Sequence, residues 1–549
     1  MTNVIKVNFK DDLTLTVKKG TKAKDVIKRL SGEYVNIMGI RVDNKVHMLN
    51  YSFSRDCNCE IVDYYSAQGH NIYARSVKLL FIAAIREVFP DLKYVIENKI
   101  GEHYYISTEK KLTSSQIAKI EEKMKEFVDA KYSITKERVT FTELKEIYTQ
   151  IGNEEALENL RSSIEILFSI YSINGKYYPW LYGRVVHSTE VITSFALESY
   201  NEGILLKLPY RDDINCIEKE VHANAVHYTF KREMRLPETL GVKSIHDLNK
   251  KAYDEKELER IILMAEERQN KQIYKITESI LSRGNIRVIF ISGPSSSGKT
   301  TFAQRLQISL ECEGISTVLL NMDDYFKNAS ISKDYESFNH LDYEFFKTQV
   351  NELFCGKTIN LPLYNFKNNG GTREDSGKKA KLSSNGILLV EGIHGLNPKI
   401  SDFIPKENVF KVYIAPLVTL SFDSYTKISS NNVRLLRRIV RDYQDRKVKL
   451  LDTLSRWNSV IHAEKENIFK YVDEADVIFN SMLIYEIGVL KVFAEPIFRN
   501  SIDAANPNEH FSTIREMCSM LSSFEAIHTD KIPNNSILKE FVGSGCFKR

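Results

Sequence analysis

The sequence predicts an α/β protein: a parallel, doubly wound sheet in the C-terminal half, behind a small β-rich unit and a mixed α+β unit. Three observations predict it. From about residue 285, apolar strands alternate with amphipathic helices, which is the pattern of a parallel sheet covered on both faces. Between the first of those strands and its helix stands GPSSSGKT, residues 293–300, a full match to GxxxxGK[ST]. Residues 1–66 read strand, strand, helix, strands, the order of a ubiquitin-like β-grasp.

Each element has a local reason. VIKVNF and LTLTVKKG alternate apolar and polar like a hairpin. TKAKDVIKRLSG follows, with Thr21 placed to cap a short helix and Gly32 to end it. Short strands are expected around Ile40-Arg41-Val42 and at Glu60-Ile61-Val62-Asp63. Residues 67–235 form the second unit, where SVKLLFIAAIREVF has helical apolar spacing and stops at Pro90. Residues 236–284 are charged and helical, with Gly284 as the stop. That helix either joins the front units to the back or opens the last unit. In residues 285–549, RVIFIS, STVLLNM, GILLVEG and VFKVYIA are the buried-type strands. TTFAQRLQISLECEG and DYEFFKTQVNELFCG are helices ending at glycines. The tail from 481 carries helical segments but no catalytic constellation, so packing or oligomer formation is expected of it.

Bulk properties narrow the function. With 549 residues, several domains are expected at roughly 100–200 residues each. Lys+Arg 76 against Asp+Glu 72 leaves +4, too balanced for wholesale nucleic-acid binding. No apolar run approaches the ~20 residues of a membrane span, and MTNVIKVNFKDD lacks a signal's apolar core. Seven cysteines in so long a chain suggest no disulfide framework, so a cytoplasmic, reduced setting is expected. Cys216, His222 and His227 are a weak metal candidate at C-x5-H-x4-H, a spacing that meets no strong zinc rule.

The chemistry centres on residue 293 onward. Glycines let the backbone curl so that its N–H groups face phosphates at a helix N-terminus. Gly293, Ser295, Ser296, Ser297, Gly298, Lys299, Thr300 and Thr301 are the expected ATP cradle. Lys299 would neutralise the β/γ-phosphates, and the Thr300 hydroxyl would reach Mg²⁺. The second strand ends in NMDDYF, which sets Asp323 in the same crevice. There it could take a proton from an attacking hydroxyl. The third strand ends in Glu391, a Walker-B-type acid expected to hold Mg²⁺ with Thr300. Arg434, Arg437, Arg438 and Arg441 fall at i, i+3, i+4 and i+7 on one helix face. Such a face suits moving phosphoryl charge under a closing lid, or else RNA.

These elements, in this order, resemble the uridine kinase and phosphoribulokinase family over roughly residues 285–480. FNHLDYEF, LPLYNF, VEGIHGLN and RLLRRIVRD resemble that family's sugar, base, acidic and arginine motifs. The resemblance implies ATP and Mg²⁺ as cofactors and a nucleoside or other small alcohol as substrate. It implies catalytic roles for Asp323, Lys299, Arg438 and Arg441. It implies substrate contacts from Asp323, Tyr325, Asn339, Tyr364, Phe366, Asn369 and Arg438. Asn339 stands where the family has a sugar-binding Asp, and Asn369 where it has a base-reading His. Tyr364 and Phe366 either sandwich a base or are core aromatics. Residues 1–66 resemble a TGS domain, and 67–235 the domain after it in threonyl-tRNA synthetase. That domain's HxxxH metal pair aligns with Arg75 and Leu79, so deacylation is not expected. The front modules leave RNA or a ribosome-linked partner as an alternative, although NKKA at 249–252 lacks the acid of a guanine-reading motif.

Overall fold

The computed structural model describes all residues except 1–3, 10–12, 33, 161–165, 179–182, 220–223, 329–336, 366–370, 503–507 and 548–549. At the front, five strands lie in the order Thr14–Lys18, Val4–Asn8, Cys57–Asp63, Ile37–Val42, Lys45–His47. Val4–Asn8 pairs antiparallel with Thr14–Lys18 and parallel with Cys57–Asp63, the β-grasp crossover. The helix Ala23–Ser31 covers this sheet with Val26 and Ile27. The expected cap is absent. Lys22 holds the N-cap position without a side-chain bond, and the Thr21 hydroxyl instead donates to Lys18 O at 2.7 Å. Gly32 does end the helix, at φ +73°.

The second unit is built around helix Ala67–Val88, longer at its N-terminus than the apolar spacing predicts. Ser66 caps it by accepting from Gly69 N. Its centre from Val77 to Ile85 is buried throughout, Lys78 included, beside a four-stranded antiparallel sheet and a three-stranded one. Of the weak metal triplet, Cys216 is exposed, and the His227 ring packs against Tyr105 at 4.6 Å. His222 lies outside the described residues. All seven cysteines are unpaired.

The C-terminal sheet is what positions the site. Its strands are β1 (Val288–Ser292), β2 (Thr317–Asn321), β3 (Ile387–Glu391), β4 (Val409–Ala415) and β5 (Val477–Asn480). They lie in the order β2-β3-β1-β4-β5, all parallel. β1, β3 and β4 are buried at every position, as strands covered on both faces must be. α1 (Lys299–Cys312) follows β1, and α2 (Tyr343–Phe354) follows β2 with Asp342 as its cap. α3 (Ser430–Gln444), α4 (Leu450–Asn467) and α5 (Glu486–Arg499) follow in the same unit. Ile261, Ile262, Ile273 and Ile276 of helix Glu255–Arg283 share one core with Ile289, Phe302 and Leu436. The expected connector is therefore also a wall of the C-terminal unit.

Candidate active site

β1 is the central strand: from it the chain crosses to the edge strand β2, returns to β3 beside β1, and then reverses direction across β1 to β4 and β5. Ligands bind at the carboxyl ends of the strands flanking such a reversal. The GPSSSGKT loop leaves β1 there and opens α1. Two of its glycines are required by space. A Cβ on Gly293 would lie 2.1 Å from Ile414 O, and Gly298 takes φ +90°. Ser296 adopts φ +58°, and Ser297 is fully buried. The Lys299 ammonium donates to Gly293 O at 3.0 Å and Pro294 O at 3.2 Å.

The expected carboxylates meet at this loop. The Thr300 hydroxyl donates to Glu391 Oε1 at 2.9 Å. Glu391 is 5% exposed, and burial pushes its carboxyl up to about 7, against the attraction of Lys299. Asn321 pairs with Glu391 across β2 and β3, which brings Asp323, two residues on, to the same end of the sheet. Asp323 N donates to the Asn321 side chain at 3.0 Å and fixes the turn. Burial raises the Asp323 carboxyl above the usual carboxylate range. Lys299 opposes the shift most, then Arg446 and Arg441. Asp324 faces elsewhere: its Oδ1 accepts from Tyr364 N at 3.0 Å and pins the hairpin strand Thr358–Asn365.

The four arginines of α3 divide into two pairs. Arg434 is 2% exposed, ion-paired with Glu464, and donates to Ser295 O at 3.0 Å. Arg437 is fully buried and grips Glu486 with two bonds of 2.8 and 2.7 Å. It also donates to Ser296 O and Ser297 O, each at 3.3 Å. These two brace the loop's carbonyls rather than face a ligand. Arg438 donates to Ser295 Oγ at 3.0 Å, and Arg441 pairs with Asp442 at 3.3 Å. α3 itself is no free lid. Val433, Leu436, Ile439 and Val440 lie in the main core.

The base and sugar candidates separate. Tyr325 is 1% exposed with its phenol on Gln349 at 2.8 Å. Tyr364 is 4% exposed, donates to Lys327 O at 3.2 Å, and packs its ring on Phe326. Both are placed as core aromatics. Asn339 is exposed, and its carbonyl accepts from the Lys327 ammonium at 3.0 Å. Phe366 and Asn369 lie outside the described residues.

Several residues around the site escape the motif reading. Arg446, also paired with Asp442 at 3.3 Å, acts on Asp323. Crowding by Arg441, ahead of burial, pulls its guanidinium down to about 10. Its i,i+4 step from Asp442 was the available signal. Glu464 accepts from Ser295 N at 2.6 Å. The tail reaches the loop as well, since Glu540 accepts from Thr301 N at 3.1 Å and Thr301 Oγ1 at 2.8 Å. No spacing in the sequence announces that contact.

A parallel sheet with this loop at its reversal point, and acids on the two neighbouring strand ends, defines a P-loop nucleotide-binding fold. Residues 288–487 match the profile described as "PRK: Phosphoribulokinase / Uridine kinase family", and this part of the chain is a domain of that family. Uridine-cytidine kinase C of Dictyostelium discoideum is 31% identical over 121 residues, 22% of this chain and 25% of that protein. The N-terminal region is similar to threonine–tRNA ligases. Threonine–tRNA ligase 1 of Bacillus subtilis (strain 168) is 29% identical over 205 residues, 36% of this chain and 31% of the ligase. The chain thus spans about a quarter to a third of the length of these relatives. Among solved structures, "Structure of a Possible Uridine Kinase from Bacillus stearothermophilus" is 20% identical, with a TM-score of 0.26 over 38% of this chain and 98% of that one. D-glycerate 3-kinase from Cryptococcus neoformans var. grubii is 15% identical, with a TM-score of 0.22 over 48% and 90%.

Proposed function

We propose that the chain is an ATP-dependent kinase of a small alcohol, with the 5′-hydroxyl of a uridine- or cytidine-like nucleoside as its acceptor. The observation that carries this reading is the juxtaposition of Asp323, Lys299 and Glu391 at one end of the sheet. Asp323 lies close enough to Lys299 for the ammonium to be the chief influence opposing its raised pKa. A carboxylate there can take the proton of an incoming hydroxyl while the lysine holds the triphosphate. The hydroxyl oxygen then bonds to the γ-phosphorus, the bond from that phosphorus to the bridging β-oxygen breaks, and ADP leaves. Arg438, Arg441 and Arg446 would meet charge on the moving phosphoryl group.

Thr300 and Glu391 offer adjacent hard oxygen donors, which fit Mg²⁺. The ion would neutralise charge between the β- and γ-phosphates. Carboxyls whose pKa is raised by burial, as at Asp323 and Glu391, suit acid–base work. The nucleoside assignment rests on the family similarity, and Asn339 would offer a sugar hydroxyl uncharged hydrogen bonds.

The test is a panel of nucleosides, sugar phosphates and simple alcohols with MgATP, read by mass spectrometry. Phosphorylated uridine or cytidine is the expected product. A sugar phosphate or another alcohol as the sole acceptor would move the substrate and keep the reaction. A second reading, contact of the front modules with RNA, draws on a basic group of Lys45, Lys136, Arg138 and Arg184, which Arg515 of the C-terminal tail joins. Burial first, and then those neighbours, push the Lys136 ammonium down to about 7.

A further inference from the structure

The loop that would take ATP is already touched by a carboxylate of the same chain. Glu540 sits on the short helix Lys539–Val542 and accepts from both the backbone N–H and the hydroxyl of Thr301. Thr301 is the third residue of α1, so its N–H is one of the free donors in the first turn, at the positive end of the helix. In this type of loop, such N–H groups are the ones that cradle the α- and β-phosphates. A carboxylate oxygen and a phosphate oxygen cannot both occupy that donor pair.

Two further contacts show how closely the segment lies on the loop. Ile537 is fully buried, and its side chain lies where a Cβ on Gly298 would be, 2.6 Å from that position. Phe541, also fully buried, lies under the Arg437 guanidinium at 4.8 Å. Arg437 is the same residue that holds Ser296 O and Ser297 O. The two acids on the loop are unlike each other. Glu464, on Ser295 N, is neutralised by its ion pair with Arg434. Glu540 has no cation within 4 Å among the described residues, and its two hydrogen bonds come from Thr301 alone. Its charge is met by the same donors that would meet a phosphate's.

We propose that residues 536–547 are an internal competitor for the nucleotide, with Glu540 standing in for a phosphate on Thr301. This rests on the reading of the loop as an ATP site. Binding ATP then requires Glu540 to leave Thr301, and the apparent affinity falls by the fraction of molecules in which the segment is released. Anything that draws the segment away would raise activity without touching the catalytic residues.

The experiment compares MgATP binding by calorimetry in the full chain and in Glu540→Gln. It adds hydrogen exchange on the unaltered protein with and without MgATP. The substitution keeps the side chain's shape and removes its charge, so about tenfold tighter binding is expected, the equivalent of about 1.4 kcal/mol. In the unaltered protein, MgATP should speed exchange of the amides in 537–543. Equal affinity together with unchanged exchange would overturn the competitor and leave the kinase reading intact. Absence of MgATP binding by both proteins would overturn the nucleotide site itself, and this inference with it.

Discussion

Glu391 ties the site to pH at the scale of a single side chain. Its carboxyl is raised to about 7 by burial, so a proton competes with a divalent cation for it near neutrality. The folded group holds its proton below that value and releases it above. Apparent Mg²⁺ affinity should therefore fall about tenfold for each pH unit below 7 and level off above it. Mg²⁺ titration of activity at saturating ATP from pH 5.5 to 8.5 measures this, and a flat profile would take Glu391 out of the metal site. The loop, Asp323 and Glu391 were legible in the sequence because each needs only a strand end and a residue type. Arg446 and Glu540 were not. Arg446 reaches the site from just past the end of α3, with its i,i+4 step from Asp442 as the one signal, and Glu540 reaches it from the tail, where no pattern records the contact. Tyr325 and Tyr364 carry the motif's residue types, but their rings lie in the core.

The P-loop is held by helices as much as by its own glycines. Arg437 links α3, the loop carbonyls and Glu486 of α5 in one buried network. Removing one member of a buried pair leaves the other charge stranded. Arg437→Gln should lose about 3–5 kcal/mol of stability in urea unfolding, whereas replacing an exposed lysine such as Lys447 should move it little. Equal, small losses would show that the network does not hold the loop. The arginine face was read as a single row because the i, i+3, i+4, i+7 spacing cannot tell the buried side of a stripe from its edge. Four sheet strands were legible as apolar runs. β5, only Val477–Asn480, and the hairpin of Thr358–Asn365 with Thr372–Lys381 were too short or too polar to announce themselves.

Across the whole molecule, the front modules dock on residues 418–427 of the C-terminal unit. Asn98 donates to Val418 O at 2.6 Å, Lys78 to Tyr425 O at 3.1 Å, and Asn153 to Asp423 at 3.1 Å. Asp423 is fully buried at this seam and also accepts from Tyr425 N at 2.9 Å. Asp423→Ala would remove the buried acceptor of the Asn153 side chain and the Tyr425 N–H, at a cost of about 1–3 kcal/mol. Unfolding of the full chain should then split into two transitions. A single unshifted transition would mean that the seam carries no coupling. The residues of this seam are separated by hundreds of positions in the chain and lay beyond any local pattern.

The most direct test of the whole account is single-turnover phosphoryl transfer by Asp323→Asn, with MgATP binding measured on the same protein. The account predicts at least about a hundredfold loss of transfer with ATP affinity kept within about threefold, because Asn keeps the shape and cannot take the proton. Transfer at the rate of the unaltered protein would contradict it.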